Sequence, residues 1–414
     1  MNAPFNLIPQ FIDEQFAAGQ HEGSLDAVTL FMDMSGFTAM TQAFMQRGRD
    51  GAETLSTILN KVFSPIVQAV YEQKGFITGF AGDAFTAVFP LDEPVRACAA
   101  ALAIHHLIEQ EKHQATPFGT FTLAVRMGLS VGKVVWGVAG PESQRAYFFR
   151  GRGIERCALA EDYAQSGDII VDYHLRAWLP PHSAHLSPLP EDAAFSRLLG
   201  LVEYPPAEPP APYHSTHQPH FFPTIHPEQI GPGEFRDAAI VFISFMAGLP
   251  VAELNAFISR VITGARRWGG HFNEVEFGDK GGVLLLYFGA PIAHERDQER
   301  ALNFLLDLRD SLEQQPVAGL QWRAGMAFGL VFAGMIGAPL CANILAWEAS
   351  LIWPHARLWK QPGVRLWWPK PWRNRWISVL PGRGNLSTRD LPNQLRPTGC
   401  WPCALPWISS LPNR

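Results

Sequence analysis

Arg126–Gly140 reads RMGLSVGKVVWGVAG, and Arg323–Gly337 reads RAGMAFGLVFAGMIG. The arginine, four glycines and one valine coincide at a constant spacing of 197 residues. A repeat with one fixed spacing sets the architecture before any motif does. Each stretch reads as strand, glycine turn, strand, because β-branched and apolar runs are punctuated by glycine. Working outward, TAVFPLDEPVRACAAALAI (Thr86–Ile104) resembles LLYFGAPIAHERDQERALNFLLDL (Leu285–Leu308): a strand ending in Phe, a proline turn, then an amphipathic helix. Further upstream DAVTLFMDMSGF (Asp26–Phe37) resembles DAAIVFISFMAG (Asp237–Gly248).

The order in each copy is strand, helix, hairpin, helix, strand, strand, which predicts an α+β fold with helices on one face of a mostly antiparallel sheet. The expected organisation is an N-terminal extension over 1–25, a first domain over 26–185, a Pro/His-rich linker over 186–234, a second domain over 235–340 and an aberrant tail over 341–414. The linker spacing His214-x-x-His217-x-x-His220 lacks a nearby Cys or carboxylate to complete a metal site, so a solvated linker is expected.

Composition is globular: 47% hydrophobic and 17% charged, with net charge −5. That balance argues against a nucleic-acid wrap or a charged membrane-surface patch. Five cysteines are too few for a disulfide framework, and a cytoplasmic setting is expected. The N-terminus lacks the basic and apolar regions of a signal peptide. Ala324–Trp347 is uncharged and long enough to span a bilayer. The repeat assigns it to strands instead, so no membrane partner is expected.

Two aspartates of the first copy stand out. Asp33 closes the apolar run LFMDMSGFT, and Asp83 sits in the glycine-punctuated GFITGFAGDAFTAVF. If the two strands pair, both carboxylates lie at one end of the sheet, where hard divalent cations find oxygen ligands. Ser35-Gly36-Phe37-Thr38 then opens a helix, whose first N–H groups suit an anion. The alternative is that Asp33 caps that helix and Asp83 is a turn residue.

FMDMSGFT followed about 50 residues later by FAGDAF resembles the metal-binding pair of class III adenylyl and guanylyl cyclases. The tandem halves are most similar to the soluble adenylyl cyclases. The resemblance implies two ferredoxin-like domains packed head to tail as a pseudo-dimer, with the site between them and the second domain incomplete. It implies that Asp33, Asp83 and the Met34 carbonyl hold two Mg²⁺ or Mn²⁺ ions. It implies that Gly36, Phe37, Thr38 and Arg126 bind the triphosphate of ATP, and that Lys280 in FGDKGG reads adenine. The implied reaction is attack of the ATP 3′-hydroxyl on the α-phosphorus, giving cyclic AMP and pyrophosphate. Ser244 stands where the first copy has Asp33, and Gly282 where it has Asp83, so the second copy carries no metal pair. Soluble cyclases of this kind often respond to bicarbonate through a lysine and an arginine. Here Gly79 and Ala158 hold those places, so bicarbonate sensing is not expected.

The family also uses an asparagine and an arginine on one helix. The first copy has Glu155 and Leu159 there, and the spacing of 197 puts Ile352 and Ala356 in the second. Nine of the 13 tryptophans lie from Trp347 onward, and no helical or strand period survives there. With permitted codons a shifted frame of Ala342–Arg357 can spell EYTCLGGVVNLAAR, which restores the motif. The tail therefore reads as an out-of-frame translation. A Trp/Arg-rich binding tail is the rival, and CWPC (Cys400–Cys403) lacks the βαβ context of a redox motif. Losing the last helix and strand should leave apolar sheet uncovered and promote association through the second domain. The expected function is an impaired adenylate cyclase. The alternative is a catalytically dead pseudo-cyclase that binds nucleotide.

Overall fold

The structure is a computed structural model. It describes residues 5–225, 233–246, 248–278 and 281–347, together with the backbone of two short strands at 364–367 and 378–379. The first lobe opens with α1 (Gln10–Ala17), β1 (Glu22–Ser35), α2 (Phe37–Met45) and α3 (Gly48–Glu72). The hairpin β2 (Phe76–Ala81) and β3 (Ala84–Pro90) leads to α4 (Val95–Gln110). A small hairpin, β4 (His113–Thr116) and β5 (Gly119–Thr122), precedes the long β6 (Ala124–Ala139) and β7 (Ala146–Arg150). The lobe closes with α5 (Arg152–Asp162), β8 (Ile169–Asp172), α6 (Tyr173–Trp178), β9 (Ala184–Pro188) and β10 (Phe195–Leu201). After α7 (Gln218–Phe221) the second lobe repeats the order: β11 (Glu234–Phe245), α8 (Val251–Arg267), β12 (His271–Gly278), β13 (Gly281–Phe288), α9 (Asp297–Gln314), β14 (Trp322–Ala338) and β15 (Cys341–Trp347). The backbone strands β16 (Val364–Trp367) and β17 (Ser378–Val379) follow.

Strand order in the first sheet is β2-β3-β1-β6-β8-β10-β9, with β7 on the far end of β6; in the second it is β12-β13-β11-β14-β16-β17, with β15 on β14. All pairs are antiparallel except β6–β8 and β14–β16. The repeated arginine holds the same place in both sheets: Asp33 pairs with Arg126, and Ser244 with Arg323. Helix α3 buries Leu55, Leu59, Val62 and Ile66, one stripe at helical spacing. Phe63 from the same helix packs against Phe37 and Phe80.

Contacts between the lobes are reciprocal. Ser64 on α3 donates to the Gly337 carbonyl at 3.4 Å, and Asn255 on α8, the copy of α3, accepts from the Gly140 amide at 2.8 Å. Gly140 and Gly337 are repeat partners, both with positive φ (103° and 112°), so the turns that receive the opposite helix are built alike.

The structure departs from expectation in three places. The first sheet runs past 185, because β9 and β10 complete it. The linker is not wholly solvated. Ser215 Oγ donates to Asp13 Oδ1 at 2.6 Å, His217 Nδ1 lies 3.1 Å from the same oxygen, and Phe221 is buried. Residue 341 does not begin a break in the fold either: β15 pairs along β14, with Ala342, Ile344 and Ala346 buried in strand alternation. The backbone of β16 and β17 extends the second sheet where the lost strand would lie. The tail positions Ile352, Ala356 and Cys400–Cys403 lie outside the described residues.

Candidate active site

Alternation along β1 aims Asp33 at the site. Met32 and Met34 are buried in the first core, so the residue between them faces the other side of the sheet. Met32 pairs with Phe85, and continuing that antiparallel register by two residues sets Asp83 opposite Met34. Both aspartates therefore sit at one end of the β1–β3 pair. In the second lobe Phe245 pairs with Gly282, so a glycine occupies the matching place.

Asp33 and Asp83 line one cavity of about 580 Å³. Its walls come from both lobes: Met34, Thr38 and Arg126 from the first, Glu274, Gly278 and Gly281 from the second. Burial, and then the negative charge of Asp33, hold the Asp83 carboxyl well above the usual carboxylate range. The cross-strand neighbour Arg126 donates through Nη2 to Asp33 Oδ2 at 2.5 Å, and the same nitrogen lies 3.0 Å from Glu161 Oε1 on α5. In this state the guanidinium is thus spent on two carboxylates. Gly36 takes φ 104° as the N-cap of α2, and a Cβ there would lie 2.2 Å from the Thr122 carbonyl oxygen, so only glycine fits. Phe37 is not a cavity residue: its ring is fully buried against Phe63. Lys280 lies outside the described residues; its neighbours Gly278 and Gly281 pair across the hairpin and line the cavity.

Sequence reasoning missed Glu161 and Asp162 of α5, and Asn273, Glu274 and Glu276 of β12, all of which line the cavity. Burial pushes Glu276 up to about 7; burial and the Glu276 charge push Glu274 well above the usual carboxylate range. Two acids at alternate positions of an otherwise apolar strand, NEVEF, were the available signal. Gly79 and Ala158 also line the cavity. Among the described residues there is no group of three or more His, Cys, Asp or Glu placed to hold a metal. Any cation at Asp33 and Asp83 would complete its shell with backbone carbonyls, water and phosphate, as Mg²⁺ commonly does.

The profile of the adenylate and guanylate cyclase catalytic domain matches residues 21–191. Adenylate cyclase type 10 of Mus musculus is 27% identical over 368 residues, covering 75% of this chain and 22% of that protein. The Homo sapiens protein of that name is 27% identical over 370 residues with the same coverage. The chain thus spans about a fifth of the length of these curated relatives. Among solved structures, a class III adenylyl cyclase-like ATP-binding protein from Pseudomonas aeruginosa superposes with TM-score 0.55 at 11% identity, covering 84% of each chain. That likeness is one of fold, and it extends over both lobes. The first lobe is thus similar in sequence to the adenylate and guanylate cyclase catalytic domain. Among the described residues no helix is long and apolar enough to cross a membrane.

Proposed function

We propose that the chain is an adenylate cyclase-type enzyme, converting ATP to cyclic AMP and pyrophosphate in cytoplasmic signalling, with weakened turnover. One observation carries this reading: Asp33 and Asp83 share one end of two paired strands and one cavity, where burial and then the Asp33 charge raise the proton affinity of Asp83. The pair fits two Mg²⁺ or Mn²⁺ ions, with the Met34 carbonyl as a further ligand; such ions, when bound, acidify the 3′-hydroxyl and neutralise triphosphate charge. The backbone N–H groups of Gly36, Phe37 and Thr38 open α2 and face the phosphates. Arg126 leaves Asp33 for phosphate oxygens, whose bidentate geometry suits a guanidinium. Lys280 reads the adenine edge. The 3′-oxygen forms its bond to the α-phosphorus as the bond to pyrophosphate breaks, and the hydroxyl proton passes to solvent.

The organisation proposed is a pseudo-dimer of domains 26–185 and 235–340, the first lengthened by β9 and β10 and the second by β15, with association through the incomplete second domain. The reciprocal contacts of α3 and α8 support it. The tail from about residue 342 is read as out of frame, which sequencing the gene around codon 340 tests. A pseudo-cyclase that binds nucleotide without turnover is the second reading. It is favoured by the sequence of the second copy, which has Ile352 and Ala356 where transition-state stabilisation calls for an amide and a guanidinium, while Glu155 and Leu159 of α5 are what the metal-bearing half is expected to carry. Cyclic AMP formed from Mn²⁺-ATP and lost in Asp33→Ala supports the enzyme. ATP binding with no product supports the module, and no ATP binding at all overturns both.

A further inference from the structure

Arg126 stands between two carboxylates that differ in their access to water. Its Nη2 donates to Asp33 Oδ2 at 2.5 Å and lies 3.0 Å from Glu161 Oε1. The Asp33 side chain is 27% exposed, whereas that of Glu161 is 8% exposed. One nitrogen makes both contacts. Among the described residues Nη1 and Nε of Arg126 carry no hydrogen bond.

Strand pairing fixes one carboxylate and helix packing the other. The β1–β6 register sets Arg126 across from Asp33. Gly128 follows Arg126 on the same face of β6, since side chains alternate along a strand. There α5 comes so close that a Cβ would lie 2.1 Å from the Cys157 carbonyl oxygen and 2.3 Å from the Glu161 amide nitrogen. That close approach brings Glu161 alongside Arg126.

The two pairs are not equally easy to open. Asp33 is partly exposed and can exchange the guanidinium for water or a cation. Drawing Arg126 off Glu161 would part a buried carboxylate from its cation, which is strongly unfavourable. A buried ion pair adds little net stability over an apolar pair of the same shape, so its use here is geometric.

We propose that Glu161 is the positioning residue for Arg126: it keeps Nη2 while the guanidinium turns from Asp33 and presents its remaining N–H groups to a phosphate oxygen, leaving Asp33 open to a cation. The proposal rests on the nucleotide reading given above. Within that reading Glu161 touches neither phosphate nor metal and acts through Arg126. Without the Glu161 charge, Arg126 would rest on Asp33 alone, away from phosphate and in the place of the cation. The sign of the effect sets this apart from simple electrostatics. A carboxylate near a polyphosphate repels it, so removing the charge would by Coulomb's law alone tighten binding.

The test is calorimetric titration of the full chain with Mn²⁺ and the α,β-methylene analogue of ATP, which cannot release pyrophosphate, so affinity is read without turnover. Glu161→Gln keeps the shape and removes the charge; it should weaken the analogue about tenfold, as expected for one lost charge-assisted contact. In an Arg126→Met background the same substitution should weaken it no further. Glu161→Asp keeps the charge but draws it back from Nη2. It should weaken the analogue by a smaller factor, and it carries the test where circular dichroism shows the glutamine variant unfolded. Binding by Glu161→Gln as tight as wild type or tighter, an equal weakening with Arg126→Met in place, or an Arg126→Met chain of unchanged affinity would overturn the proposal and leave nucleotide binding standing. A wild-type chain that does not bind the analogue would overturn the nucleotide reading itself, and the proposal with it.

Discussion

Glu276→Gln should stabilise the unliganded protein in alkaline solution and leave it unchanged in acid. Burial lifts the Glu276 carboxyl from the 4.5 of a free glutamate to about 7. The folded chain therefore holds a proton that the unfolded chain has released. Stability falls as pH rises from about 4.5 to about 7 and is flat beyond. At about 1.4 kcal/mol per pKa unit the loss is about 3 kcal/mol. That is an upper bound, because the carboxylate lines a cavity and keeps some access to water. Glutamine keeps the shape of the neutral acid and cannot ionise, so the variant recovers this amount above pH 7 and none of it below pH 4.5. Glu274 loses its charged neighbour in the variant, which acts in the same direction. If the second lobe unfolds as a unit, the gain corresponds to an unfolding midpoint about 12 °C higher. Thermal unfolding by calorimetry at pH 5 and pH 8 reads both numbers. An equal shift at the two pH values, or a lower midpoint at pH 8, would refute the reasoning.

Four further outcomes follow from the same geometry. Mn²⁺ at a hundred times its Kd should stabilise the chain by about 2.7 kcal/mol in thermal unfolding, and Asp83→Asn should remove that gain; an undiminished gain would place the ions elsewhere. Binding of metal should strengthen up to about tenfold per pH unit while Asp83 is still protonated, because the carboxyl must release its proton, and titration in buffers of different ionisation heat counts that proton. Phe63→Ala empties a fully buried ring position against Phe37 and Phe80 and should cost about 3–5 kcal/mol by urea unfolding. Gly128→Ala drives a Cβ to 2.1 Å from the Cys157 carbonyl oxygen and 2.3 Å from the Glu161 amide on α5, costing about 1–3 kcal/mol, and it should shift Arg126 and lower nucleotide affinity with it.

The repeat made both sheets legible, because glycine-punctuated strands at constant spacing fix strand order and much of the register. The Asp33–Asp83 end was legible for the same reason: alternation around Met32 and Met34 leaves one direction for Asp33 to face. Arg126 was visible as a repeat residue, but its hold on Asp33 was not. That contact depends on which residue stands across from which, a property of two distant segments. The glutamates of β12 were passed over because acids on strands are ordinarily solvent-facing, and only the packing of one lobe on the other encloses them. The docking of 213–222 was hidden by composition: proline and histidine read as solvated chain, while Asp13, far upstream, supplies the acceptor that holds it. Cys341, Ala342, Ile344 and Ala346 are apolar and buried, which fits a strand whatever the origin of the text that follows.

Because α3 and α8 each seat on a turn of the opposite lobe, the covalent tether between the lobes governs how partners are chosen. Joining two surfaces through about thirty residues holds each near the other at an effective concentration in the millimolar range. A free copy from another chain cannot compete at cellular abundance. Every first lobe is thereby wedded to its own second lobe, and only one of them needs to keep the acidic pair. The other is released from that duty, free to lose aspartates and acquire groups such as Glu274 and Glu276 without ever having to function opposite a copy of itself.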